Sequence, residues 1–328
     1  MKRRYFDSEL GRSDSRDAIR WECDAVRDWK ASLKAIAVGA ATGTAIGLLA
    51  FRFLTSLQHP GMGSALFLLV PIAAGFSIAM VARKPNTTTA AAVLSVVSSL
   101  VLLIALGAEG ILCAVLAFPI IAAGLFIGIG IGVLLRKLVV SRTNNQTATT
   151  GVLLLVAPVL IVAGERIETP MLERPRTEVV QTTVNVNGSP ERVWRAIVSI
   201  DNIKASQPFL MHVGLPIPQR CTMQGRGVGA KRTCYFNVGY IEETVTAWNP
   251  PYSMGLSIDR THLPGRHWLG FESADYRLEP SGGTTWLTRR TTVFSYLHPS
   301  WYWRTFERLG VESEHAYILR DVALRAAH

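Results

Sequence analysis

Apolar positions change their rhythm once along the chain. Between Leu33 and Gly164 they run in long blocks; beyond that point they alternate, or recur at helical spacing. Five blocks, Leu33–Leu57, Ala65–Val81, Thr88–Leu106, Ile111–Leu135 and Ala148–Ala163, each approach the ~20 residues with which a helix crosses about 30 Å of hydrocarbon. Pro158, inside the fifth, is tolerated better in a membrane helix than in water. After them the pattern restarts. Val184 and Val186 alternate as in a strand, Asn187-Gly188 makes a turn, Ser189 is a candidate N-cap and Pro190 fits the first helical position. The helix that follows, Ser189–Ile200, carries Val193, Trp194, Ile197 and Ile200 on one face. Strands are expected at Gly229–Val238, Tyr240–Trp248, Tyr252–Asp259, Trp268–Glu279 and Thr284–Phe294, separated by Gly- and Pro-marked turns. A last helix opens near Ser300 and runs through Arg325, with Val311, Ile318 and Val322 on one side.

These periods divide the chain into a tail (1–32), a membrane region of about five helices (33–164), a linker with two prolines that should be extended and exposed (165–176), and one compact α+β domain (177–328). Composition agrees. The chain is 49% hydrophobic and only 18% charged, yet its net charge is +10. Sixteen acidic and nineteen basic residues follow Gly164, so the distal domain is only mildly basic. The positive excess lies beside apolar blocks, where it reads as a topology signal and not as a nucleic-acid footprint. The amino-terminal tail, Arg83-Lys84, Arg136, Lys137 and Arg142 fall on one side if every block crosses, while the Gly107–Gly110 turn carries only Glu109. This count puts the N-terminus in the cytoplasm and the distal domain on the periplasmic or extracellular face, as expected for an integral protein of a bacterial plasma membrane. The tail is too long and too charged for a cleavable signal peptide.

Two blocks carry glycine ridges: Gly39, Gly43 and Gly47 in the first, Gly124, Gly128 and Gly132 in the fourth. Such ridges let helix backbones approach closely. They serve either tight packing of helices one and four within the chain or a homodimer through one of the two faces. No ionisable residue stands at a mid-membrane position, which disfavours a transporter or pump and leaves an anchor in contact with membrane lipid.

In the distal domain the order is early helix, antiparallel strands, long closing helix. Asn-Gly-Ser-Pro-Glu-Arg-Val-Trp at 187–194 resembles the opening motif of the START-like superfamily, also called the polyketide cyclase/dehydrase group. Gly-Val-Gly-Ala-Lys-Arg at 227–232 resembles its glycine-led second strand, Val-Thr-Ala-Trp-Asn-Pro-Pro at 245–251 its strand-ending turn, and Tyr-Arg-Leu-Glu-Pro-Ser-Gly-Gly-Thr-Thr at 276–285 its late hairpin. The resemblance covers about half the chain. It implies a helix-grip fold, a curved antiparallel sheet around the C-terminal helix, with a cavity for a lipid or other apolar small molecule. It implies structural roles for Trp194 and Pro250, and does not by itself give an activity.

Candidate chemistry is sparse. Cavity-lining candidates are Ile241, Val245, Met254, Leu256, Ile258, Val311, His315, Ile318 and Val322. His315 shares the apolar side of the last helix and is either a packed, hydrogen-bonded histidine or a general base. Glu243 shares a strand face with Ile241, Val245 and Ala247; buried, it could act as an acid, whereas a one-residue register change puts it in water. Asp259, His262 and His267 match no familiar metal-ligand spacing and read as a polar hairpin rim, so neither metal nor cofactor is expected. Trp301, Tyr302 and Trp303 fit an interfacial belt or a cap on the core. Cys221 and Cys234 meet as a disulfide if Arg220–Thr222 runs back beside Thr233–Tyr235; otherwise they are two buried thiols. The reading with which these residues fit best is a non-catalytic binding module tethered to the membrane. A cyclase or dehydratase using Glu243 or His315, and an assembly or signalling partner holding no ligand, are the alternatives.

Overall fold

The computed structural model describes residues 7–56, 61–82, 84–106, 111–139, 146–263 and 269–327, without the side chains of 7–28, 146–150 and 153. Arg83, Glu109 and Arg142, part of the charge count, lie outside the described residues, as do Arg266, His267 and Trp268. The chain forms two compact units. One comprises Met1–Phe53, Leu68–Leu102 and Ile120–Val162; the other comprises Leu54–Phe67, Leu103–Pro119 and Ala163–His328.

The first unit is helical. Helices α1 (Asp7–Ser56), α2 (Val70–Val81, entered through a π-helical turn at Ala65–Leu69), α3 (Pro85–Ala105), α4 (Ile111–Leu138) and α5 (Gln146–Leu172) follow in order. Among the described residues, three helical stretches, Trp29–Ser56, Pro85–Ala105 and Ile111–Leu138, are long and apolar enough to cross a membrane; Ala65–Val81 is apolar but shorter. They mark a membrane protein. Val93, Leu94, Val97 and Val101 on α3 are exposed, as side chains facing lipid are. Both glycine ridges are occupied inside the chain, and by other helices than each other. A Cβ at Gly39 would touch Ala91 of α3 at 3.0 Å, and Gly43 lies against Ser95 of α3 and Ile78 of α2. On α4, a Cβ at Gly128 would overlap the carbonyl oxygen of Ile72, and one at Gly132 would stand 2.8 Å from the Cβ of Ala79, both on the α2 side. Arg136 donates from Nη1 to the carbonyls of Ala79 (2.7 Å) and Ala82 (3.3 Å), closing the end of α2, where carbonyls lack helical partners.

The expected extended linker is largely helical, since α5 continues to Leu172 and strand β1 begins at Arg176. Pro170 removes one helical hydrogen bond, but burial of Glu165 and Leu172 holds the final turns. Glu168 there accepts hydrogen bonds from the backbone nitrogens of Ser64 (3.1 Å) and Ala65 (2.9 Å), an anion seated on a helix start.

The remainder of the second unit is a helix-grip fold. Strands β1 (Arg176–Asn187), β2 (Pro218–Gln224), β3 (Lys231–Phe236), β4 (Gly239–Asn249), β5 (Ser253–Thr261), β6 (Leu269–Ser281) and β7 (Thr284–Ser295) form one antiparallel sheet of order β1-β7-β6-β5-β4-β3-β2. Helices α6 (Pro190–Val198), α7 (Phe209–Val213) and α8 (Ser300–Ala327) complete it. Ser189 holds the N-cap backbone conformation but makes no side-chain cap; its carbonyl takes the Arg192 and Val193 nitrogens at 3.0 and 3.1 Å. Gly188 has φ +158°, and a Cβ there would stand 3.1 Å from the carbonyl oxygen of Ala326, so the turn must be bare to let α8 end against it. Buried Val193, Trp194 and Ile197 carry α6 onto α8 and the sheet. Trp194 meets Trp248 of β4 edge-on, with ring centroids 5.0 Å apart, tying the opening motif to the end of the Val245–Pro251 motif.

Candidate functional site

The concave face of the sheet, where the closing helix lies, is set by strand alternation. In β7, Leu287, Arg289, Thr291, Val293 and Ser295 are buried at every second position. Register then carries that face across the sheet: Arg289 pairs with Tyr276 on β6 and Thr182 on β1, Met254 with Tyr276, Leu256 with Val245, and Glu243 with both Ile258 and Arg232. Among the described residues, two ion pairs lie on this face, and Glu307 and Asp321 of α8 are buried as well. Arg232 donates from Nη1 to Oε2 of Glu243 at 3.0 Å, with side chains only 3% and 7% exposed. Arg289 donates from Nη2 to Oε1 of Glu314 on α8 at 3.0 Å, and its guanidinium carbon sits 5.5 Å from the Tyr276 ring centre. Beside them, the two ring nitrogens of His315 lie 2.7 Å from Thr291 Oγ1 and 3.0 Å from Thr182 Oγ1.

These groups are out of balance with their partners. Arg289 Nε and Nη1 and Arg232 Nε are buried without any hydrogen-bond partner. Burial, reinforced by the charge of Arg289, pushes His315 down to about 2, so the imidazole is neutral. Burial likewise pushes the Glu314 carboxyl above its ordinary range, against the pull of Arg289. Yet 19% of the Glu314 side chain is accessible. Thr182, Met223, Ile258 and Phe271 on the same face are likewise only half-buried.

The candidates from the sequence separate into two zones. Val245, Met254, Leu256, Ile318 and Val322 pack with Trp194, Tyr276 and Leu287 in one core. Val311 packs with Val180 and Val293 instead; Ile241 is buried and Ile258 half-buried. Glu243 does share its face with Ile241 and Val245, but Ala247 does not: a bulge between Val245 and Ala247 breaks the alternation and leaves Ala247 exposed. Cys221 and Cys234 stand opposite each other on β2 and β3 and are joined as a disulfide, with Cα atoms 4.0 Å apart. Asp259 accepts from Lys231 Nζ (2.9 Å) and Thr244 Oγ1, bonds that hold its carboxyl low, Thr244 first, while His262 stacks on Tyr240 at 4.3 Å. No group of side chains that could hold a metal occurs among the described residues. Of the aromatic trio, Trp303 is buried against Phe67 at 4.7 Å, Tyr302 donates to the Leu116 carbonyl, and Trp301 is 71% exposed.

Arg232, Arg289 and Glu314 were not among the candidates drawn from the sequence. The signal for Arg289 was present: it stands two residues from Leu287 and four from Val293, so a strand that buries those two buries it as well.

Comparison with protein-family models and with curated proteins gave no match. Similar solved structures include the Zhui aromatase/cyclase from Streptomyces sp. R1128, at 15% identity over 46% of this chain and 94% of that one, TM-score 0.33. A norcoclaurine synthase point mutant from Thalictrum flavum follows at 12% identity, 47% and 96% coverage and TM-score 0.33, and Ara h 8.0201 at 13%, 44%, 99% and 0.29. Likenesses this distant carry no argument about activity.

Proposed function

We propose that the grip domain is a non-catalytic binding module, tethered to the bilayer by the preceding helices, which holds an apolar small molecule or lipid between its sheet and α8. The observation that carries this reading is the accessible surface on Glu314, with the half-buried Ile258 and Phe271 on the same concave face. Holding is favoured over transforming because both candidate catalytic groups are engaged: Glu243 by Arg232, and both nitrogens of His315 by threonine hydroxyls in a site that keeps the ring neutral. An exoplasmic side for the domain is supported by the Lys/Arg count if all five apolar blocks cross, and a cysteine pair joined across β2 and β3 suits that compartment.

The test is native mass spectrometry and lipid extraction of the full-length protein purified in nanodiscs. A discrete co-purifying molecule, or saturable uptake of a fluorescent apolar probe beyond that of empty nanodiscs, is the expected result; neither would reject the reading. An alkaline phosphatase fusion at the C-terminus, active only outside the cytoplasm, tests the side. An inactive fusion rejects the exoplasmic assignment alone.

A further inference from the structure

We propose that the grip interior recognises the carboxylate of a long-chain carboxylic acid, with Arg289 as the principal donor and Arg232 as the second. This rests on the binding reading above and gives that site a ligand class.

Arg289 is 8% exposed and spends Nη2 on Glu314; its Nε and Nη1 donate to nothing. Arg232 is 3% exposed and spends Nη1 on Glu243; its Nε donates to nothing. A guanidinium cannot shed its charge to suit a dry site, and buried charged donors without acceptors are costly. The strand alternation that buries Leu287 turns Arg289 to the concave face, and the Tyr276 ring supports its guanidinium from one side. The apolar, half-buried Met223, Ile258 and Phe271 share that face, Met223 packed against the main core and Phe271 against Val180, Val293 and Val311.

The missing group must be acceptor-rich, without donors of its own. A carboxylate has two acceptor oxygens in a plane that suits guanidinium N–H groups. An alcohol brings a donor that this arginine pair cannot use. Val245, Met254, Leu256, Ile318 and Val322 already fill one zone of the interior, so a ligand chain would lie in the other, beside Val180, Val293 and Val311. Charge also balances. Two arginines and two carboxylates sum to zero, and burial already favours the protonated form of Glu314. A ligand carboxylate that enters while Glu314 takes up one proton leaves the cluster neutral.

The experiment uses the full-length protein in nanodiscs, with empty nanodiscs as the partition control. Palmitate, methyl palmitate and hexadecanol compete with a bound fluorescent probe. Palmitate is expected to displace it at least about tenfold more effectively than either neutral analogue, the factor that one charge-assisted contact readily supplies. In R289M that preference falls to near unity; R289K restores part of it. Equal displacement by all three ligands of the unaltered protein overturns the proposal, as does an R289M protein that keeps the preference. If no ligand displaces the probe, or no probe binds, the binding reading falls too. A second measurement needs no variant. The carboxyl ¹³C resonance of labelled palmitate bound to the unaltered protein should stay at its ionised position at pH values where palmitate in empty nanodiscs is protonated, and a bound resonance that titrates with the free one overturns the assignment.

Discussion

Replacing Glu243 alone should be far more damaging than replacing it together with Arg232. The two side chains are 7% and 3% exposed and joined at 3.0 Å, so solvent screens them little. In Glu243→Leu, Arg232 keeps its charge, its Nε already has no partner, and the carboxylate of Glu314 is held by Arg289. Breaking a buried pair from one side costs about 3–5 kcal/mol because an uncompensated charge stays behind. For a domain of this size that corresponds to a melting point lower by roughly 6–20 °C. Removing both charges in Arg232→Met/Glu243→Leu also removes both desolvation penalties, and such replacements range from neutral to about 4 kcal/mol stabilising. Pulse proteolysis of the full chain in nanodiscs across a urea series reads both numbers as shifts in the midpoint of cleavage. A single variant that loses less than about 1 kcal/mol would show that water reaches Arg232 and that the pair is not buried in the sense used above. A double variant as unstable as the single one would show that packing, and not charge, governs the site.

His315 is neutral in the folded protein and takes up a proton below about pH 6.5 once unfolded, so its contribution is complete above that pH and is lost as pH falls from 6.5 toward 2. The stability difference between the unaltered protein and His315→Gln should therefore shrink by about 1.4 kcal/mol per pH unit between pH 6 and 4 in the same proteolysis assay; parallel pH profiles would contradict a buried neutral ring. Gly128→Ala places a methyl group on the Ile72 carbonyl and should reduce the monodisperse fraction on size exclusion after heating, whereas Gly130→Ala, with nothing within 4 Å, should not. Peptide mapping without reductant should recover Cys221 and Cys234 linked, and Cys221→Ser/Cys234→Ser should cost up to about 3 kcal/mol for a separation of 13 residues.

Legibility followed the strength of each local period. The long apolar blocks and the strands from β3 to β7 were visible because burial imposes one spacing over many residues. Strand β2 was visible only through its cysteine: Arg220–Thr222 does run opposite Thr233–Tyr235, but in this seven-residue edge segment only Cys221 and Met223 alternate, too short a run to announce a strand. The five-residue helix α7 is too short to establish a period. The linker misled for the opposite reason. Its prolines and alternating charges describe an exposed chain, yet Glu168 is bound to the backbone of Ser64 and Ala65, about a hundred residues earlier, and no local pattern encodes that contact.

The polar interior was hidden by the same rule that made the strands readable. Hydrophobic alternation identifies a buried face by its apolar members, so a charged residue at an inward position is read as an error of register or as the edge of the element. Arg289 sits beside Arg290 in a run that looks like a solvated strand end, and only the fixed phase of Leu287 and Val293 assigns one arginine inward and the other outward. Glu314 gives still less, because it adjoins His315 on a helix face where either residue could point to water. What separates such sites from mistakes of register is agreement between elements: Arg289 inward on β7, Tyr276 inward on β6, Thr182 inward on β1 and Glu314 inward on α8 meet in one place. A register slip in any one strand would scatter that set. A fold that keeps these two ion pairs on its buried face with three donors unmet is less stable than an apolar interior of the same shape, and the role of those charges has to be sought outside stability.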